Sequence, residues 1–132
     1  KSSPVDTESY LLKFYRYIEL NPVRARIVDS PQDYRWSSYA ANALGKDNFL
    51  LTPHTIYCHL GQTKEDRCHA YRQIVYQALD KSDLQAIRVA AHYCSPVGDD
   101  RFHKMVEAKL GTPVGQQRRG RPRKNTSGLV KK

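Results

Sequence analysis

The sequence predicts a mainly α-helical chain: one helix within residues 1–28, an α-helical bundle over 29–111, and a disordered basic tail over 112–132. Three observations predict it. Apolar residues recur at three- and four-residue steps in several windows, the spacing of one helix face. Cap-forming Ser, Thr and Asp precede those windows, and Gly or Pro follow them. No stretch alternates with period two, and Phe49-Leu50-Leu51 is too short to count as a strand.

Taken in order, Asp6 or Thr7 is placed to cap the first helix, with Glu8 near the positive end of its dipole. Leu11, Phe14, Tyr15 and Ile18 follow helical spacing and are expected to face a core. Pro22 disfavours helical geometry at Asn21 and is itself comfortable as the first residue of a helical turn. The helix is therefore expected to stop at Asn21, with a short turn over Val23 to Ile27. Ser30 to Asp33 reads as a loop, and Tyr34 to Tyr39 leads into a short helix through Ala43, closed by Gly45. Thr52-Pro53 starts a short helix reaching about Leu60, ended by Gly61. Lys64 to Leu79 is the longest periodic element, with Cys68, Tyr71, Ile74, Val75, Ala78 and Leu79 as its stripe. A helix from Ser82 turns Leu84, Ile87, Ala90 and Ala91 inward; after a turn at Ser95 to Gly98, Asp99 opens a last helix bearing Phe102, Met105, Val106 and Leu110, up to Gly111.

The length of 132 residues allows at most one full domain with a modest core. No apolar run approaches a membrane span, and no signal-peptide pattern opens the chain. Three irregularly spaced cysteines give no disulfide framework and fit a reducing cytoplasm. The net charge is +9, but residues 111–132 carry seven Lys or Arg and no acid, so the body is close to balanced. Charge points to a polyanion, and places the pull in the tail.

Residues four apart share a helix face, so Tyr17 presents a phenol beside the amide oxygen of Asn21. A tyrosine can be a covalent nucleophile, and an amide oxygen is a hard ligand for Mg²⁺ or Mn²⁺. Arg16, Arg24 and Arg26 lie close enough to hold phosphates. Together they read as half of a phosphodiester-cleaving site. The plainer reading is a packing tyrosine, a cap-forming asparagine before proline, and surface arginines.

The run YRYIELNPVRARIV, followed by DYRWSSYAANALG, LLTPH, AYRQ, a G-x-x-RF segment and a final RGRPRK, resembles the REP-associated tyrosine transposases. These belong to the bacterial HUH single-tyrosine transposases, which act on single-stranded DNA. The resemblance spans about Tyr10 to Lys124. It implies that Tyr17 is the nucleophile of a cleave-and-rejoin reaction at hairpin-containing repeats, passing through a 5′-phosphotyrosine link. It implies that Asn21 helps bind a divalent metal whose other ligands are two histidines of a His-hydrophobic-His motif. No H-x-H occurs here, so the resemblance is to the C-terminal portion of such a protein, with ligands not present in this chain. The complete fold would be α+β, with an upstream antiparallel sheet packed on the Tyr17 helix. Alone, that helix would carry an uncovered apolar face, favouring self-association, and the chain is expected to be inactive.

Other candidates carry less. Tyr10 and Tyr15 compete as nucleophiles, but Tyr15 lies about 160° around the helix from Tyr17 and reads as packing. Glu19 reads as solvent-facing. Trp36 and Tyr39 could stack bases, though a lone tryptophan beside two serines reads better as a core anchor. The five histidines and three cysteines match no zinc-site spacing. Residues 82–111 have helix-turn-helix dimensions. Arg118, Arg119, Arg121, Arg123 and Lys124 surround a Gly-Arg-Pro centre resembling an AT-hook, which lays arginines in a narrow minor groove. A second reading is therefore a non-catalytic DNA-binding module, a helix-turn-helix-like bundle with an AT-hook-like tail. Either reading makes DNA, single-stranded or hairpin, the partner.

Overall fold

A helix over Leu11–Arg24 (α1) is the strut against which the rest is built. The structure is a computed structural model describing residues 3–6, 10–77 and 79–115. Thr7, Glu8, Ala78 and the basic residues Arg118, Arg119, Arg121, Arg123 and Lys124 lie outside the described residues. A 3₁₀ turn at Pro31–Asp33 is followed by α2 (Tyr39–Asn42), α3 (Thr55–Cys58), α4 (Lys64–Tyr76), α5 (Lys81–Tyr93) and α6 (Asp100–Leu110). The described residues are thus mainly helical, and pairing outside helices is limited to one parallel bridge between Val5 and Val97. No helix among them is long and apolar enough to cross a membrane.

The first helix departs from expectation at its C-terminal end. Among the described residues it begins at Leu11, and the Tyr10 side chain before it makes no capping bond. The backbone carbonyl of Asp6 accepts from Tyr10 N–H at 3.1 Å. At the other end it does not stop at Asn21 but runs through Pro22 to Arg24. Pro22 removes one donor from the ladder, yet three following N–H groups close the helix around it. Ala25 N–H reaches Asn21 O at 2.9 Å, Arg26 N–H reaches Val23 O at 3.0 Å, and Ile27 N–H reaches Pro22 O at 2.9 Å. The last two bonds make a Schellman ending, with Arg26 in the left-handed region at φ 56°. Pro22 is also buried, so packing adds to this closure.

α1 packs against α4, α5 and the 3₁₀ turn, while α2 and α3 pack on the near end of α4. The core between them is unusually rich in tyrosine: Tyr39, Tyr57 and Tyr71 are buried with Ala43 and Val75, and Tyr15, Leu20 and Leu60 close over them. Phenols can enter a core only if their hydroxyls find partners. Tyr57 donates to the Asn42 carbonyl at 3.0 Å, and Tyr39 lies 3.4 Å from the hydroxyl of Tyr76. The rings of Tyr15 and Tyr57 both meet Tyr71 edge-on, at 6.0 and 5.7 Å.

The remaining boundaries follow their caps. Thr52-Pro53 does not start α3; His54 does, its Nδ1 accepting from Ile56 N–H. That helix is only one turn, ending at Cys58. α4 opens on a reciprocal box between Thr63 and Asp66 and ends at Tyr76, three residues short of the expected Leu79, which is nonetheless buried. Asp80 caps α5 and Asp99 caps α6. Ala91, expected inward, is exposed. The N-terminal segment clamps the α5–α6 connection: Asp6 N–H donates to Val97 O, Val97 N–H to Pro4 O, and Ser3 Oγ to Ala90 O. α6 buries none of its residues, and Met105 and Leu110 of its apolar stripe are exposed.

Candidate functional site

Which way α1 is turned decides what it can do. Its buried residues are Glu19 and Pro22, with Leu12, Tyr15 and Arg16 partly buried around them. At about 100° per residue, Tyr17 and Asn21 lie about 160° to either side of Glu19, on the opposite face. Arg24 lies within about 60° of both. The structure thus keeps Tyr17 and Asn21 one turn apart on one continuous helix, turned away from the bundle. Tyr17 is half-buried, and Asn21, Arg24 and Arg26 are exposed. Phe14 and Ile18 share that outward side, so the expectation that Ile18 faces the core fails: it is 51 % exposed. α1 has two apolar stripes, and the bundle covers one.

Arg16 is placed differently from the other arginines. Its guanidinium donates to the carbonyl of Gln77, just past the end of α4, and Nε is buried with no hydrogen-bond partner among the described residues. Burial lowers its pKa, a loss countered by nearby Asp83 and reinforced by Arg24. Beside it Lys13 pairs with Asp83 at 2.8 Å, fixing α1 to α5. The tail basic residues lie outside the described set, so the structure groups Tyr17, Asn21 and Arg24, with Arg26 two residues past the helix end.

Glu19, expected to face solvent, is fully buried. Its Oε1 accepts from Ser38 Oγ at 2.5 Å and from the Tyr71 hydroxyl at 3.0 Å, while Oε2 has no partner among the described residues. A buried carboxyl is tolerated only with donors around it. Here they come from the segment before α2 and from α4, so one side chain ties three elements together beneath the Tyr17 face. Burial first, and then the charge of Glu19, raises the pKa of Tyr71 far above that of a free phenol. The same two causes, in that order, raise that of Tyr15. The spacing holds a trace of this without fixing which of the two stripes is buried. Leu12, Tyr15, Glu19 and Pro22 form an i, i+3, i+7, i+10 stripe with a single acid in it.

Trp36, expected as a core anchor, is 74 % exposed, and Tyr39 takes the core position at 2 %. Tyr39 therefore offers no ring to an incoming base. The helix-turn-helix dimensions of 82–111 come without the packing of such a unit, since α6 is not among the elements that pack closely together.

The metal that the resemblance implies does not fit the residues present. Asn21 supplies one exposed amide oxygen, and no group of three His, Cys, Asp or Glu side chains among the described residues is arranged to hold an ion. One neutral oxygen does not hold Mg²⁺, which keeps its waters unless carboxylates or phosphates join in. No family model, curated protein or solved structure matches this chain.

Proposed function

We propose that this chain is part of a transposase of the REP-associated tyrosine type, which cleaves and rejoins single-stranded DNA through Tyr17. One observation carries the reading. A phenol, an amide and a guanidinium (Tyr17, Asn21, Arg24) share the one face of α1 that the bundle leaves open, on a helix that Pro22 does not interrupt. The sequence resemblance supports it, and so does exposed Ile18 beside partly buried Phe14 on the outward side, which is where a sheet would pack.

In this reading the Tyr17 oxygen attacks phosphorus in line with the leaving 3′ oxygen. The phosphorus–O3′ bond breaks, the phenolic proton ends on the departing 3′-hydroxyl, and the strand stays joined to Tyr17 by its 5′ phosphate. Attack by another 3′-hydroxyl reverses the step and frees the phenol. Arg24 and Arg26 hold flanking phosphates as charge-assisted donors. Asn21 would offer its amide oxygen to a divalent ion only beside ligands that the described residues do not supply, so no step is assigned to a metal.

The test is a labelled hairpin oligonucleotide with a single-stranded flank, incubated with Mn²⁺ and protein carrying an upstream His-hydrophobic-His segment. A label that follows the protein through a denaturing gel is expected for the native sequence and not for Tyr17→Phe. An equal yield of adduct from both would place the nucleophile on another side chain, and bound oligonucleotide with no adduct from the native sequence would leave a non-catalytic DNA-binding module as the better reading.

A further inference from the structure

The chain's single tryptophan stands outside the fold, on a segment that is itself firmly held. Upstream of it, Tyr34 N–H bonds Pro31 O at 3.2 Å in the 3₁₀ turn that packs on α1. Downstream, Ser37 Oγ accepts from Tyr39 N–H at 3.2 Å, and Ser38 Oγ is fastened to buried Glu19 at 2.5 Å. Trp36 is thus displayed from a backbone pinned on both sides to the helix that carries Tyr17.

Leaving an indole in water forgoes a large burial gain. The Arg35 guanidinium sits over the ring, its central carbon 4.3 Å from the ring centroid, within cation–π range. An apolar partner laid on this pair would strip water from the guanidinium and return no acceptor. A nucleotide meets both needs at once, a flat π face for the indole and a phosphate for the guanidinium. We propose that Trp36, backed by Arg35, is a stacking platform for an unpaired base of single-stranded DNA. The proposal rests on the DNA reading above and adds the element that grips the unpaired strand. Residues 24–36 hold three arginines against two aspartates, so this contact selects more through the ring than through net charge.

The test uses the full chain and its tryptophan emission, excited at wavelengths beyond tyrosine absorption so that it reports on Trp36 alone. The titrant is an unpaired oligonucleotide, compared with a blunt duplex of equal length, at salt high enough to weaken phosphate contacts. Saturable quenching is expected with the single strand and much less with the duplex. Trp36→Ala should weaken single-strand binding, read by anisotropy, by about 10-fold. Trp36→Phe should recover most of that loss, and neither change should move the melting temperature. The platform is refuted if Trp36→Ala binds the single strand as tightly as the native chain. It is refuted as well if binding leaves the indole emission unchanged, or if sedimentation shows copies pairing through Trp36 with no change in DNA affinity. The adduct assay separates the two proposals: in protein carrying the His-hydrophobic-His segment, binding and quenching with no adduct on native Tyr17 sinks the nucleophile and leaves the platform. Adduct formation with unaltered Trp36→Ala binding sinks only the platform. A chain that binds no DNA at all sinks both.

Discussion

Glu19 holds the candidate site together from behind, and its chemistry sets how it fails. Its carboxyl takes hydroxyl bonds from Ser38 and Tyr71, so Glu19→Ala would leave two donors without an acceptor and open a cavity. A loss of about 3 kcal/mol is expected. Glu19→Gln keeps the volume and one acceptor oxygen and should cost about 1 kcal/mol or less. Urea denaturation of both variants checks this, and equal losses would mean that the hydroxyl bonds are not what fastens α1. Glu19 was hidden in the sequence because an acid in an amphipathic helix is ordinarily solvated, and its two donors lie 19 and 52 residues away. Trp36 was misplaced for the opposite reason. Size argues for burial, but Tyr39 fills the only core position that the pinned segment offers.

At the scale of elements, the end of α1 was the least legible and carries the most consequence. Proline's local preference ends a helix at the residue before it, whereas the observed helix continues because Pro22 is buried and a Schellman ending satisfies the last carbonyls. Tyr17 and Asn21 stay aligned as a result. That ending puts Arg26 at φ 56°, where a side chain costs roughly 1 kcal/mol relative to glycine. Arg26→Gly is therefore expected to raise stability by about 1 kcal/mol while Arg26→Ala does not, as measured by thermal melting of the two variants. A gain from alanine equal to that from glycine would place the strain elsewhere. Where caps are local the sequence read well: Gly111 ends α6 in the left-handed region, and Asp99 caps its start. α3 was read too long because the His54 cap looks like nothing in sequence, while Thr52-Pro53 looks like a start.

For the molecule as a whole, the tyrosine core makes alkaline pH the exposed flank. Burial and then the Cys68 hydrogen bond push Tyr57 to about 12, and burial also raises Tyr15, Tyr39 and Tyr71. Unfolded phenols titrate near 10. Below that pH both states are protonated and the stabilisation is complete. Above it the unfolded chain releases protons that the folded one keeps, so stability falls as pH rises from about 10 through 12. The share of tyrosinate absorbance that belongs to Tyr15, Tyr39, Tyr57 and Tyr71 should therefore appear only as helical dichroism is lost; full ionisation of all nine tyrosines in an intact fold would contradict the buried cluster. The helical class of the described residues was legible from periodicity alone. The direction in which α1 faces was not, because its two apolar stripes are equivalent until packing chooses one. The central claim, that the outward phenol at position 17 bonds to phosphorus, is met most directly by mass spectrometry. Protein supplied with the histidine-bearing segment would be reacted with hairpin DNA, digested to mononucleotide stubs and fragmented. A nucleotide mass on Tyr17 is the predicted result; an adduct mapped to Tyr10, Tyr15 or any other side chain, with Tyr17 unmodified, would contradict it.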